Sequence, residues 1–253
     1  MLEGWSRIEI AGKMADVFEP PGAARFALLW LHGQDDLASG RVYPGRFATA
    51  NEDGPDEPGR SLLTSLLRKL RFPCVAPNGM RSWWVDRVCP EFDPALTAEK
   101  HLLNNVVPWM EERFRIPARF IGVAGIEMGG QGALRLGLKH PKRFRAVASL
   151  GGAIDFHELH GQGTPLDAMY DSRERCRQDT ATLHMHPTDW PPHLWFACEP
   201  ASPWFRGNDR LDEKLRAYGV PHTADLERGG AELLEPMLEF VVSGLEKESR
   251  RLM

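Results

Sequence analysis

Six consecutive residues concentrate the chemistry of this chain: Gly125-Ile126-Glu127-Met128-Gly129-Gly130. An apolar run over residues 119–124 predicts a strand before them, and residues 129–139 predict a helix after them. One side chain is therefore held at the apex of a sharp strand-to-helix turn. That is the layout of a nucleophile elbow, whose pattern is G-x-S-x-G. Glycines at 125 and 129 let backbone pass close to backbone where a Cβ would obstruct the turn. The apex residue is Glu127, however, and a carboxylate ionises without a base and is a different nucleophile from a serine hydroxyl.

The elements that must position this corner follow from the hydrophobic pattern. Residues 7–10 and 16–19 predict an edge hairpin turning at Ala11-Gly12-Lys13. Residues 26–31 form a continuous apolar run suited to a strand buried on both faces, followed at once by His32-Gly33-Gln34. Residues 35–59 lack periodicity and predict a long surface loop, after which Ser61 is placed to cap a leucine-faced helix. A strand over 72–77 leads into a loop with two adjacent tryptophans, Trp83 and Trp84, which are not expected to share one core. A core-facing helix over 97–114 contains Pro108, a candidate kink. Residues 146–150 predict the next buried strand, and 193–198, 208–218, 222–226 and 231–247 predict strand, helix, strand and final helix. Alternation of this kind predicts an α/β fold, with a mostly parallel central sheet covered by helices on both faces. No linker or repeat interrupts it, so residues 1–253 are expected to form a single domain.

Composition bounds the function. With 42% hydrophobic and 26% charged residues, the chain is in the ordinary globular range. A net charge of −4 gives no electrostatic argument for nucleic acid or an anionic membrane. The amino terminus lacks a basic start followed by an apolar core, and no run reaches membrane-spanning length, so the expected location is cytoplasmic. Cys74, Cys89, Cys176 and Cys198 show no C-x-x-C pair and are expected as buried thiols. Neither G-x-G-x-x-G after a first strand nor G-x-x-x-x-G-K-[ST] occurs, and no cofactor is expected.

Leu31-His32-Gly33, the stretch Gly125-Ile126-Glu127-Met128-Gly129-Gly130-Gln131-Gly132-Ala133-Leu134, and His140-Pro141-Lys142-Arg143-Phe144 together resemble the α/β-hydrolase fold. Within it they are similar to esterases of the esterase D, or S-formylglutathione hydrolase, type. The resemblance implies a serine, an acid and a histidine in that chain order, with backbone N–H groups forming an oxyanion hole. Carried over residue by residue, it puts Glu127 in the nucleophile slot, Ser202 in the acid slot with Glu199 as near neighbour, and Ala231, after Gly229-Gly230, in the histidine slot. His222 falls too early to be promoted. Losing hydroxyl, acid and imidazole together removes nucleophile, orienter and proton shuttle. The expectation is a non-hydrolytic relative binding a small ligand or a protein partner in the former active-site cleft, with a homo-oligomer allowed. The alternative is a working carboxylesterase or thioesterase with a non-standard site that includes Glu127.

Three roles for Glu127 follow. Its carboxylate could occupy the oxyanion hole, meeting the N–H groups of Met128 and Gln34 at a helix N-terminus. It could attack carbon as a dehalogenase aspartate does. It could pair with a cation such as Arg81 or Arg87. His32, Trp83, Trp84 and Trp204 are the expected pocket residues, while Trp195 is expected to fill its strand's surroundings. The segment 155–160 with His184 and His186 invites a metal reading, but its spacing is not H-E-x-x-H and no metal is expected. Residues 206–214 read as a solvated helix face capped by Asn208 or Asp209.

Overall fold

The computed structural model describes residues 4–34 and 62–251. The expected loop over 35–59 and the Ser61 cap lie outside the described residues. Among the described residues eight strands form one sheet: β1 (Trp5–Ile10), β2 (Lys13–Phe18), β3 (Ala27–Leu31), β4 (Cys74–Pro77), β5 (Ile121–Ile126), β6 (Ala146–Leu150), β7 (His193–Ala197) and β8 (Thr223–Asp225), in the order β1-β2-β4-β3-β5-β6-β7-β8. β1 and β2 are antiparallel and β2 runs antiparallel to β4, whereas β3 to β8 pair in parallel. The hairpin turns on two residues, Ala11 and Gly12, both at positive φ (47° and 79°), the geometry that matches strand twist in two-residue turns.

The helices are α1 (Leu62–Leu70), α2 (Ala98–His101), α3 (Val107–Phe114), α4 (Met128–Lys139), α5 (Leu166–Met169), α6 (Arg173–Arg177), α7 (Phe205–Ala217) and α8 (Leu234–Arg250). Burial on both faces explains the unbroken apolar strands. Alternate residues serve opposite layers: Leu29, Leu31, Val123 and Val147 join α2, α3, α4 and α7, whereas Leu28, Trp30, Ala124 and Ala148 join α1 and α8.

The expected helix over 97–114 is continuous, with a π turn at Leu102–Val106 between α2 and α3. The Val107 N–H reaches back to Leu102 O. Pro108, one residue on, has no N–H to continue α-type bonding, and the wider turn accommodates it; such a turn, like a proline, is a place where helices bend. The sequence expectation ended the elbow strand at Ala124, but β5 runs two residues further, through Gly125 and Ile126. Likewise α7 begins at Phe205, with Trp204 rather than Asn208 or Asp209 at its N-cap. Asn208 lies inside that helix, buried, and its amide donates to Gly152 O (2.8 Å) and Trp204 O (2.9 Å). Among the described residues no helix is long and apolar enough to cross a membrane, and all four cysteines are buried and free.

Candidate active site

Glu127 is the single residue between β5 and α4, at φ 49° and ψ −114°. A non-glycine residue there costs on the order of 1–3 kcal/mol and persists only where its surroundings impose it. They do so through the backbone. The Glu127 N–H donates to Leu150 O (3.1 Å), and its carbonyl accepts from Gln131 N–H (3.0 Å) and Ala153 N–H (2.9 Å). The flanking glycines are equally constrained: a Cβ on Gly129 would stand 2.6 Å from His32 O and closer still to Leu31, and one on Gly125 would press into Gly129.

The Glu127 side chain, half-buried, does not cap α4. Instead its Oε2 accepts the backbone N–H of Gln34 at 2.6 Å. Gly33 makes room for this, since a Cβ at that position would lie 2.7 Å from the same oxygen. Met128, buried, is the first residue of α4, so its amide belongs to the helix N-terminus at the elbow. Of the cations considered as partners, Arg81 is held by Glu91 and Arg87 lies over the Tyr170 ring at 5.4 Å.

Three of the four expected pocket residues are core instead. His32 is fully buried; its Nε2 accepts the Gly79 N–H at 3.0 Å, which leaves Nδ1 to donate to Gly33 O at 2.9 Å. Both ring nitrogens are engaged, and burial pulls the imidazole down to about 4. His32 thus braces the turn that carries Gln34. Trp83 and Trp84, expected not to share a core, are both buried. Each has φ 56°, and two successive left-handed residues break the alternation that would point neighbouring side chains apart. Trp83 stacks on Phe156 (5.0 Å between ring centroids, 15°). Trp84 fills the space left by Gly79 and Gly132, and its Nε1 donates to His32 O at 3.2 Å. Trp204 is partly buried against the same core layer, and Trp195 is buried as expected.

The two remaining slots lie at the carboxyl ends of β7 and β8. Their loops meet, for a Cβ on Gly229 would fall 2.8 Å from Glu199 Cβ. Ser202 closes a turn: its N–H donates to Glu199 O (3.0 Å) and its Oγ accepts the Trp204 N–H (3.2 Å). Ala231 opens a short 3-10 turn behind Gly230, which has φ 92°. No hydrogen bond joins any of the nine histidines to Glu127 among the described residues. His222 sits at the opposite end of β8, its Nε2 2.8 Å from Asp212 Oδ1 and its ring stacked on Phe196. No group of three or more metal-ligating side chains is gathered among the described residues.

Sequence reasoning missed the buried ion cluster on α4. Arg135, 1% exposed, donates to Glu99 and to Asp179. Glu99 also accepts from Lys139 (2.6 Å) and contacts His140 (3.1 Å), and Asp179 accepts from Tyr170 Oη (2.8 Å) and meets His184 Nε2 (3.0 Å). Burial alone would push the Asp179 carboxyl up, but the bond with His184 and the Arg135 guanidinium hold it at about 2. The one available signal was an arginine in a helix whose residues from Met128 to Leu138 are all buried. Gln131 was also passed over: its Nε2 donates to Trp83 O (3.3 Å) and its Oε1 accepts the Ala181 N–H (3.0 Å).

This architecture has known counterparts. The Staphylococcus aureus fluorophosphonate-binding serine hydrolase FphF superposes with a TM-score of 0.69 at 13% identity, over 95% of this chain and 98% of that one. An S-formylglutathione hydrolase from Agrobacterium tumefaciens superposes with a TM-score of 0.68 at 13% identity, over 95% and 94%. These likenesses establish the α/β-hydrolase fold. In sequence, the chain is 24% identical over 244 residues to Esterase Rv1288 of Mycobacterium tuberculosis, covering 83% of this chain and 53% of that protein. The chain therefore spans about half the length of that curated relative. A family model described as "Putative esterase" matches residues 26–223. With that match across most of its length, the chain belongs to this esterase family of α/β hydrolases.

Proposed function

We propose that this protein keeps the esterase scaffold as a binding site and does not hydrolyse esters. The observation that carries the reading is the 2.6 Å bond from the Gln34 N–H to Glu127 Oε2. In an acyl-transfer site such an amide, with a partner at the head of the following helix (here Met128), stabilises the oxygen of a tetrahedral intermediate. A carboxylate oxygen resting on that donor takes the place of the substrate oxygen. With Ser202 engaged in a turn and Ala231 unable to accept a proton, nothing at these slots relays one. The ligand is a small molecule or a protein partner entering the former active-site cleft. Residues 1–253 act as one domain, without a cofactor, in the cytoplasm.

Family membership and the retained elbow support a second reading: carboxylester or thioester hydrolysis with Glu127 in a non-standard role. Hydrolysis of p-nitrophenyl acetate separates the two. The unaltered chain is expected to match Glu127→Ala, with no turnover above background in either. The triple change Glu127→Ser, Ser202→Asp, Ala231→His is expected to gain about a hundredfold or more, the scale of a restored general base. Turnover by the unaltered chain that disappears in Glu127→Ala would overturn the binding-only reading.

A further inference from the structure

Two segments that read as unrelated in the sequence meet in one cleft. After β6 the chain supplies Asp155 and His157, and α7 supplies Arg210 and Lys214. Arg177 and the Thr180–Thr182 stretch complete the wall. The helix face expected to be solvated is thus partly turned inward. In a chain of net charge −4, this lining inverts the sign: three cations against one carboxylate, an excess of two.

The compensation of those cations is uneven. Arg210 Nη1 is 3.3 Å from Asp155 Oδ2, and Arg177 is held by both Glu174 oxygens, through Nε at 2.7 Å and Nη2 at 2.8 Å. Lys214 has no carboxylate within ion-pair distance among the described residues; its Nζ donates to Thr182 O. Burial pulls its ammonium below the ordinary lysine range, the mark of a charge that lacks a counter-ion. His157, 8% exposed, has an Nδ1 with no hydrogen-bond partner. Buried polar groups are normally satisfied. A cleft with an ammonium that has no carboxylate partner among the described residues and two guanidinium groups that retain free N–H donors is suited to an anion.

We propose that this cleft binds a phosphoryl group, with Lys214 and Arg210 on one side, Arg177 on the other and His157 in the wall. Three tetrahedrally placed phosphoryl oxygens can be shared among three cationic side chains, and the group's charge complements the one ammonium that has no carboxylate partner among the described residues. A carboxylate offers only two oxygens, in one plane. The site does not depend on the chemistry of the elbow, and its occupancy is read without any ester assay.

Isothermal titration calorimetry of the full chain at constant ionic strength tests it, using inorganic phosphate, phenyl phosphate and acetate. Saturable binding of the phosphoryl compounds is expected, weakened about tenfold by Lys214→Met, as for loss of a charge-assisted contact. Arg177→Gln alters a half-exposed side chain, so it keeps the test readable if Lys214→Met does not fold; it too is expected to weaken binding. Preference for phenyl phosphate identifies a phosphomonoester ligand, and equal affinity identifies the free ion. No saturable phosphoryl binding, acetate binding as tight as phosphate, or affinity unchanged in Arg177→Gln would each overturn the proposal.

Discussion

The two ends of the last strand hold opposite halves of what a hydrolase needs. At the amino end of β8, His222 and Asp212 form a buried pair at 2.8 Å, with the second ring nitrogen on Val220 O. At the carboxyl end, where the loop after β8 meets the acid loop, stands Ala231. An imidazole oriented by an aspartate is therefore present in the chain, but it packs against Phe196 on the wrong edge of the sheet. Residue inventory says little about catalysis here. What decides is which edge of a parallel sheet a side chain occupies, since ligands meet such sheets at the carboxyl ends of the strands.

Three changes break or sharpen that contrast. The largest effect is expected at the carboxyl edge, in backbone rather than side chain. Gly129→Ala drives a Cβ into the carbonyls of Leu31 and His32 and should cost about 4 kcal/mol in denaturant unfolding, if the protein folds at all. A cost near 1 kcal/mol would mean that the elbow is not the rigid corner described.

Next comes the pH response of His32. Its folded imidazole is held down at about 4, against 6.5 for the free side chain. Between those values the unfolded chain takes a proton that the folded chain refuses. Stability is therefore full above pH 6.5 and falls as pH drops toward 4, by up to about 3 kcal/mol from this residue. His101, also pulled down to about 4 by burial first and by Lys13 second, adds in the same direction. Melting curves from pH 7 to 4 should show this slope, shallower by about one proton in His32→Asn. An unchanged slope in the variant would show that the brace is not the titrating group.

The smallest effect belongs to the amino edge. His222→Phe should cost about 1–3 kcal/mol by leaving Asp212 without one partner while Arg216 remains, and should leave ligand binding in the cleft untouched. A loss of cleft binding there would collapse the distinction between the two edges.

Much of this architecture was legible in the residues. The apolar runs located β3 and β6 closely, and the glycine spacing located the elbow, because burial on both faces and close backbone approach each restrict residue type strongly. The slots at Glu127, Ser202 and Ala231 were readable only through the family likeness. What stayed hidden depended on conformations or pairings that local pattern does not encode. Trp83 and Trp84 share a core only because both residues are left-handed. The π turn before Pro108 is a change of hydrogen-bond register that apolar spacing does not report. Arg135 finds Glu99 and Asp179 across sequence separations of 36 and 44 residues, which no periodicity reports.

Gln131, in the Gly-Gly-Gln-Gly run after the elbow, has a consequence of its own. One buried amide ties the tryptophan loop, 48 residues before it, to the segment at Ala181, 50 residues after it. Each segment satisfies one backbone group through that side chain. The glutamine thus cross-links two loops that are about a hundred residues apart in the chain, holding both against the helix that follows the elbow.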